Sequence, residues 1–141
     1  MKKLAMNPAQ VLFAKFCEAY KKRHLPDILN LFSQNINMWG SGIDEYRVGL
    51  KEVSEQLQRD FSQSEKAEIE VVSFVPVAAN APWAAAQCTA KITLNGTEHL
   101  FEHLRGTVIV EKEKGEWKIS HMHASFPDYR NAENASFPLE G

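Results

Sequence analysis

Two histidines and a serine alternate near the end of the chain, in Gly115-Glu116-Trp117-Lys118-Ile119-Ser120-His121-Met122-His123-Ala124-Ser125. Side chains two residues apart on a strand share a face. In a regular strand Trp117, Ile119, His121, His123 and Ser125 therefore lie together, on a side that turns from apolar to polar. Imidazoles at that spacing suit a general base, half of a metal site, or hydrogen-bonding groups packed at a subunit contact or pocket rim. A metal would need a third ligand. His99 and His103 fall on the neighbouring strand, but on its opposite face in the simplest register. No Cys/His spacing has the form of a structural zinc site, so no metal or other cofactor is expected.

Arg105 poses a different problem. A guanidinium in the middle of a central strand requires a partner. Asp44 or Glu45 could supply an ion pair, and the alternative is a carboxylate or other anionic group on a ligand. Trp39, Tyr46, Phe101 and His103 join Asp44, Glu45 and Arg105 as candidate ligand-binding residues. The aromatics suit either a core or a pocket that takes a flat organic molecule.

The elements that must position these residues can be read in order. Asn7 caps a first helix, Pro8 fits its first position, and Gln10 stands where a capping-box partner would. Leu12, Phe16 and Tyr20 recur at four-residue spacing, flanked by Phe13 and Cys17, as a stripe facing a core. A short helix follows over 26–32. Ile36 to Trp39 reads as a brief strand, stopped by Gly40-Ser41-Gly42. Gly49 opens a third helix, with Leu50, Val53, Leu57 and Phe61 at helical spacing and Glu, Gln, Arg and Ser outward. The second half is β: 69–77, then 83–94, the Asn95-Gly96 hairpin turn, 97–110, the Lys114-Gly115 turn, and 116–125. The aromatic residues of the tail after Phe126 suit docking on the body or on a second subunit, as against fraying.

Two-residue turns fix an expected register. Ala90 faces Phe101, Cys88 faces His103 and Ala86 faces Arg105, which sets small residues beside large ones on a face that helices must cover. Such a face leaves a concavity or packs solid. The other face carries Trp83, Gln87, Thr89, Lys91 and Thr93 beside Leu100, Glu102, Leu104 and Val108, a composition suited to a dimer interface. The second turn pairs Val108 with His121 and Gly106 with His123, placing both histidines away from Arg105. A single bulge near that turn would reverse the assignment.

The 141 residues suit one domain, with terminal segments at 1–7 and 127–141. A net charge of −2 with interspersed signs gives no dense basic face, so nucleic acid is not an expected partner. Cys17 and Cys88 are expected as buried, reduced thiols. No run approaches the roughly 20 apolar residues of a membrane span, and the charged N-terminus lacks the apolar run of a signal peptide, so the expected location is cytoplasmic.

Three stretches carry a family resemblance. Arg105-Gly106-Thr107-Val108-Ile109-Val110, Lys114-Gly115-Glu116-Trp117 and His121-Met122-His123-Ala124-Ser125 together resemble the end of SnoaL-like domains of the nuclear transport factor 2-like superfamily. The His-x-His-x-Ser ending is also similar to the association domain of calcium/calmodulin-dependent protein kinases. The stretch Trp39-Gly40-Ser41-Gly42-Ile43-Asp44-Glu45-Tyr46-Arg47-Val48-Gly49 is similar to the segment before the third helix in one SnoaL-like branch. The resemblance implies an α+β cone of the cystatin-like type, in which a curved antiparallel sheet wraps around N-terminal helices. It also implies a pocket at the open end and a homodimer formed through the sheet.

Members of this superfamily include isomerases, cyclases, hydratases and scaffolding hubs, and fold alone does not choose among them. The expected function is a homodimeric module that binds a small molecule or acts as a scaffold. The alternative is a SnoaL-like enzyme moving a proton on a polar organic substrate, with His121 or His123 as base and Arg105 orienting an anion.

Overall fold

The computed structural model describes residues 6–137, so the expected terminal segments lie partly outside the described residues. Helix α1 (Pro8–Lys22) starts on a reciprocal cap. The Asn7 side chain accepts from the Gln10 backbone N–H at 2.8 Å, and the Gln10 side chain accepts from the Asn7 N–H at 3.0 Å. These bonds satisfy donors that every helix start leaves open. The Asn7 Nδ2 also reaches the carbonyls of Ala78, Ala81 and Trp83, so the cap clamps the loop that closes the sheet at that end. At the other end Arg23 is left-handed. Its guanidinium lies 4.9 Å from the Phe61 ring centroid and donates to the carbonyls of Phe61 and Ser64.

Helix α2 (Leu25–Leu29) ends sooner than its sequence suggests, because β1 (Phe32–Trp39) begins early. Ser33 is buried there, and its hydroxyl donates to Glu113 at 2.6 Å, which ties the start of β1 to the sheet. A short strand, β2 (Tyr46–Val48), lies where the sequence reads as loop. Then come α3 (Gly49–Ser62), β3 (Lys66–Phe74), β4 (Trp83–Leu94), β5 (Thr97–Glu113) and β6 (Glu116–Ser125).

The strands form one curved six-stranded sheet, ordered β2-β1-β6-β5-β4-β3. The expected α+β architecture, a curved sheet over N-terminal helices, is present. The sheet is antiparallel except where β1 runs parallel to β6. Both expected hairpin turns form, with Asn95, Gly96, Lys114 and Gly115 all at positive φ, the conformation of the primed turns that match strand twist.

Two bulges change which residues face inward. In β5 the regular pairing holds to Ala90 opposite Phe101, then slips by one, so that Cys88 meets Leu104 and Ala86 meets Gly106. The extra residue lies at Glu102-His103, where His103 takes a left-handed φ of 65°. In β6 a second slip falls at Ser120: Val110 pairs with Ile119, but Ile109 pairs with His121. Each slip exchanges the faces of everything beyond it.

The concave face thus carries Ala84, Ala86, Cys88, Leu104, Val108, Val110 and Ile119, all buried beneath the helices. Gly106 belongs to this face because α1 crosses closely; a Cβ there would meet the Phe13 ring at 3.0 Å. Val53 and Leu57 bring the apolar side of α3 to the same core.

Candidate functional site

Beyond Leu104 the packing opens. Phe16 and Tyr20 of α1, the end of α3 with Gln63 and Ser64 just after it, and the inner side of the sheet line an open-mouthed cavity of about 410 Å³. Small residues make the room: Ala67, Ala90 and Ala124 line its sheet side, with Met38, Ile69, Ile92 and Met122 between them. The exposed Leu94, Phe101 and Ser41 mark the rim. Of the small-beside-large pairs expected on this face only Ala90 with Phe101 lies at the hollow; Cys88 and Ala86 meet Leu104 and Gly106 and are buried in the core.

The tail completes the wall. Phe126 lines the cavity, with its ring centroid 6.0 Å from Phe101 and 6.4 Å from Tyr129, whose hydroxyl donates to the Glu102 carbonyl. Docking on the body, one of the alternatives expected for this segment, holds for these two aromatics.

The polar end of the cavity is built from helices. On α3, Gln56 and Asp60 are one turn apart and share a face with Val53 and Leu57. Gln56 is 2% exposed. Its Nε2 donates to Asp60 Oδ1 at 2.8 Å and to Glu45 Oε1 at 3.3 Å, while its Oε1 is buried without a partner. Tyr20 reaches across from α1, and its hydroxyl donates to Asp60 Oδ2 at 2.9 Å. Burial pushes the Asp60 carboxyl above the usual range, against the opposing effect of the Gln56 and Tyr20 hydrogen bonds. Burial, followed by the charge of Asp60, raises the Tyr20 hydroxyl as well, so it stays a proton donor.

Glu45 enters from the loop before β2. That loop folds around its own carboxylate: Gly42 N–H donates to Glu45 Oε2 at 2.8 Å, and Gly40 N–H donates to the Glu45 carbonyl at 2.7 Å. A Cβ at Gly40 would fall 2.2 Å from Glu45 Oε2. Arg59 pins the loop from outside, 2.9 Å from Asp44 and 3.1 Å from Glu45. Its hydrogen bonds to Asp44 hold that exposed carboxyl below the ordinary range.

The sequence-predicted residues therefore part company. Glu45 and Phe101 line the cavity, Trp39 borders it although its register partner His123 sets it on the outer face, and Asp44 stands just outside. Tyr46 stacks on Trp39 with ring centroids 4.4 Å apart, and both are half exposed. Arg105 is exposed and pairs in register with Gln87 and Ser125 on the outer side. The expected pairing of Ala86 with Arg105 is corrected by the β5 bulge, and the expected ion pair with Asp44 or Glu45 is made by Arg59 instead. His103 also turns out of the hollow, within 3.2 Å of the Gln87 amide.

His121 and His123 pair with Ile109 and Thr107, so they share the outer face with Arg105 rather than opposing it. His121 hydrogen-bonds the Asn37 side chain. Desolvation, and next the neighbouring His123, lower its pKa. Leu104 and Val108, expected on a dimer face, are core residues. Among the described residues no three His, Cys, Asp or Glu side chains cluster as a metal site, and no helix is long and apolar enough to cross a membrane.

Tyr20, Gln56 and Asp60 were not among the sequence candidates. The pattern that could have found them is a glutamine and an aspartate at i, i+4 on the side of α3 that carries its core valine and leucine.

The fold, a curved sheet over N-terminal helices, recurs in solved structures. A Mycobacterium tuberculosis protein, Rv0760c, superposes with a TM-score of 0.74 at 12% identity, covering 90% of this chain and 96% of that one. An epoxide hydrolase of the LEH-like type from M. tuberculosis gives 0.67 at 12% identity, covering 86% and 84%. A ketosteroid isomerase-like protein from Erwinia carotovora atroseptica gives 0.65 at 15% identity, covering 83% and 92%. At such identities the likeness is one of fold. A comparison with curated proteins gives no match. The family model of the SnoaL-like domain aligns with residues 10–129, from the first turn of α1 to the tail aromatic that meets Glu102, and the chain belongs to that family.

Proposed function

We propose that this SnoaL-like domain binds a small, largely apolar organic molecule in the hollow between α1, α3 and the sheet. The carrying observation is the cavity itself: about 410 Å³, lined by alanine, methionine and aromatic side chains, with its polar groups gathered at one end. Ligand sites have this composition, an apolar body with a few convergent hydrogen-bonding groups. The test is a thermal-shift and calorimetric screen of flat organic compounds, with Ala90→Leu as the filled-cavity control. Binding to the native state raises the melting temperature. Shifts that vanish in Ala90→Leu support the reading; ligands that bind both proteins equally overturn it.

A second reading has its own support. A carboxyl with a raised pKa, held by a phenol in an apolar hollow, is suited to proton transfer. The structural neighbours include an epoxide hydrolase and an isomerase-like protein, and in this reading Asp60 replaces the histidines as the acid–base group. Deuterium exchange into an enolisable ketone, followed by NMR and lost in Asp60→Asn, is the expected outcome.

The assembly in this proposal is a homodimer through the outer sheet face, where Trp39, Tyr46, Trp83 and Ile109 remain substantially exposed around the histidines. Light scattering is expected to give twice the 16.0 kDa chain mass, and Ile109→Asp to give the monomer. Cys17, only partly buried, and Cys88, buried, are both free, and unpaired thiols suit a reducing compartment such as the cytoplasm; burial pushes them up to about 12 and about 11, which makes them unreactive.

A further inference from the structure

The charge around the hollow is one-sided. Among the described residues two carboxylates line it, Glu45 and Asp60, and no Lys, Arg or His does. The guanidiniums nearby are already engaged. Arg59 binds Glu45 from outside and shares itself with Asp44, and Arg23 is spent on the Phe61 and Ser64 carbonyls. Asp60 makes none of the ion pairs found among the described residues; its partners are the neutral Gln56 amide and the Tyr20 hydroxyl. A carboxylate withdrawn from water without a countercharge is costly. Gln56 adds a second, independent observation: this side chain is 98% withdrawn from solvent, lines the same hollow, and leaves Oε1 without a donor. The carboxylates of Asp60 and Glu45 and the open Oε1 of Gln56 are acceptors, on a wall whose remaining polar side chains, Ser41, Gln63 and Ser64, are neutral.

Resting on the ligand-binding reading above, we propose that the cavity takes an organic ammonium ion with an apolar body, its head group held by Asp60, Glu45 and Gln56 Oε1. An ammonium carries up to three donors and one positive charge, which answers each of these groups at once. Phe16, Tyr20 and Phe126 line the same space, and aromatic walls suit a cation. A metal ion does not fit this role, because hard cations need six or more converging oxygen ligands and most of the wall is apolar. An anionic ligand would meet carboxylates with no cation to receive it.

The test compares three probes of one shape: 1-naphthylmethylamine, 1-naphthylmethanol and 1-naphthoate, titrated calorimetrically at neutral pH. The amine is expected to bind at least tenfold more tightly than the alcohol, with the carboxylate weakest. Asp60→Asn is expected to erase the preference for the amine and leave the alcohol's affinity unchanged. Should that variant fail to fold, Glu45→Gln, on a surface loop, is expected to narrow the preference by severalfold. Equal binding of amine and alcohol, or tightest binding of the carboxylate, overturns the ammonium assignment while leaving the cavity reading standing. Failure of all three probes at millimolar concentration overturns both.

Discussion

The two faces of the sheet divide the chemistry of this protein in an unexpected way. The outer face holds the residues whose types draw attention in the sequence: His121, His123 and Arg105, with Trp39, Tyr46 and Trp83 around them. The concave face holds alanines, methionines and branched aliphatics, and its polar groups come from the helices laid across it and from the loop that carries Glu45. Chemistry-rich sequence and an enclosed site thus lie on opposite sides of one layer of backbone. The difference teaches that side-chain identity along a strand says little until the bulges are known. One inserted residue at His103 and one at Ser120 decide the contents of the hollow.

The most damaging way to break this comparison is to put a charge on the concave face. Val108 is fully buried there, whereas Arg105 is exposed on the outer face of the same strand. Val108→Arg leaves an unpaired charge in the core at a cost of about 3–5 kcal/mol, so loss of the cooperative thermal transition is expected in calorimetry. Next in size is a pair of truncations. Ile119 is fully buried and Ile109 is 39% exposed on the opposite face. Ile119→Ala is expected to cost about 2–5 kcal/mol in urea unfolding, and Ile109→Ala less than about 1 kcal/mol, since only the first opens a cavity.

A subtler contrast lies in pH. Asp60 has a raised carboxyl pKa, so the native state holds a proton that the unfolded chain releases. Its contribution is complete below about pH 4 and fades as pH rises through the folded-state pKa. His121 has a lowered pKa, so the unfolded chain takes up its proton first. Stability is complete above about pH 6.5 and falls as pH drops below it. Urea melts across pH 4 to 8 are expected to lose the first slope in Asp60→Asn and the second in His121→Gln. The smallest effect is expected of Arg105→Ala. With the guanidinium outside the hollow, the affinity for a cavity ligand should change less than about twofold by calorimetry. A larger loss would return Arg105 to the site.

Much of the fold is legible in the chain because local chemistry and tertiary packing agree. Asn7, Pro8 and Gln10 state the start of α1, and Asn95-Gly96 and Lys114-Gly115 state the hairpins to the residue. The alanines of β4 correctly mark the side that helices cover. The parallel pairing of β1 with β6 is not legible, since it joins segments from opposite ends of the chain through contacts no local pattern encodes. β2 is missed because three residues pair only by virtue of the strand beside them. The site is harder still. Glu45 is legible as a loop acid near the opening, yet its partner Arg59 and its neighbour Gln56 read as ordinary outward helix positions, and nothing local marks Asp60. Polar residues on a helix look alike until something shows which of them faces a hollow instead of solvent.

The loop of Gly40 to Glu45 makes the electrical character of the interior depend on a missing methyl group. Any side chain at position 40 would occupy the space that the glutamate oxygen now fills. Even an alanine there would push the carboxylate off its perch and loosen the grip of Arg59 upon it. The acidity of the chamber is thus governed by a residue with no functional group, and exchange at that position would retune the preferred guest without touching the chamber walls.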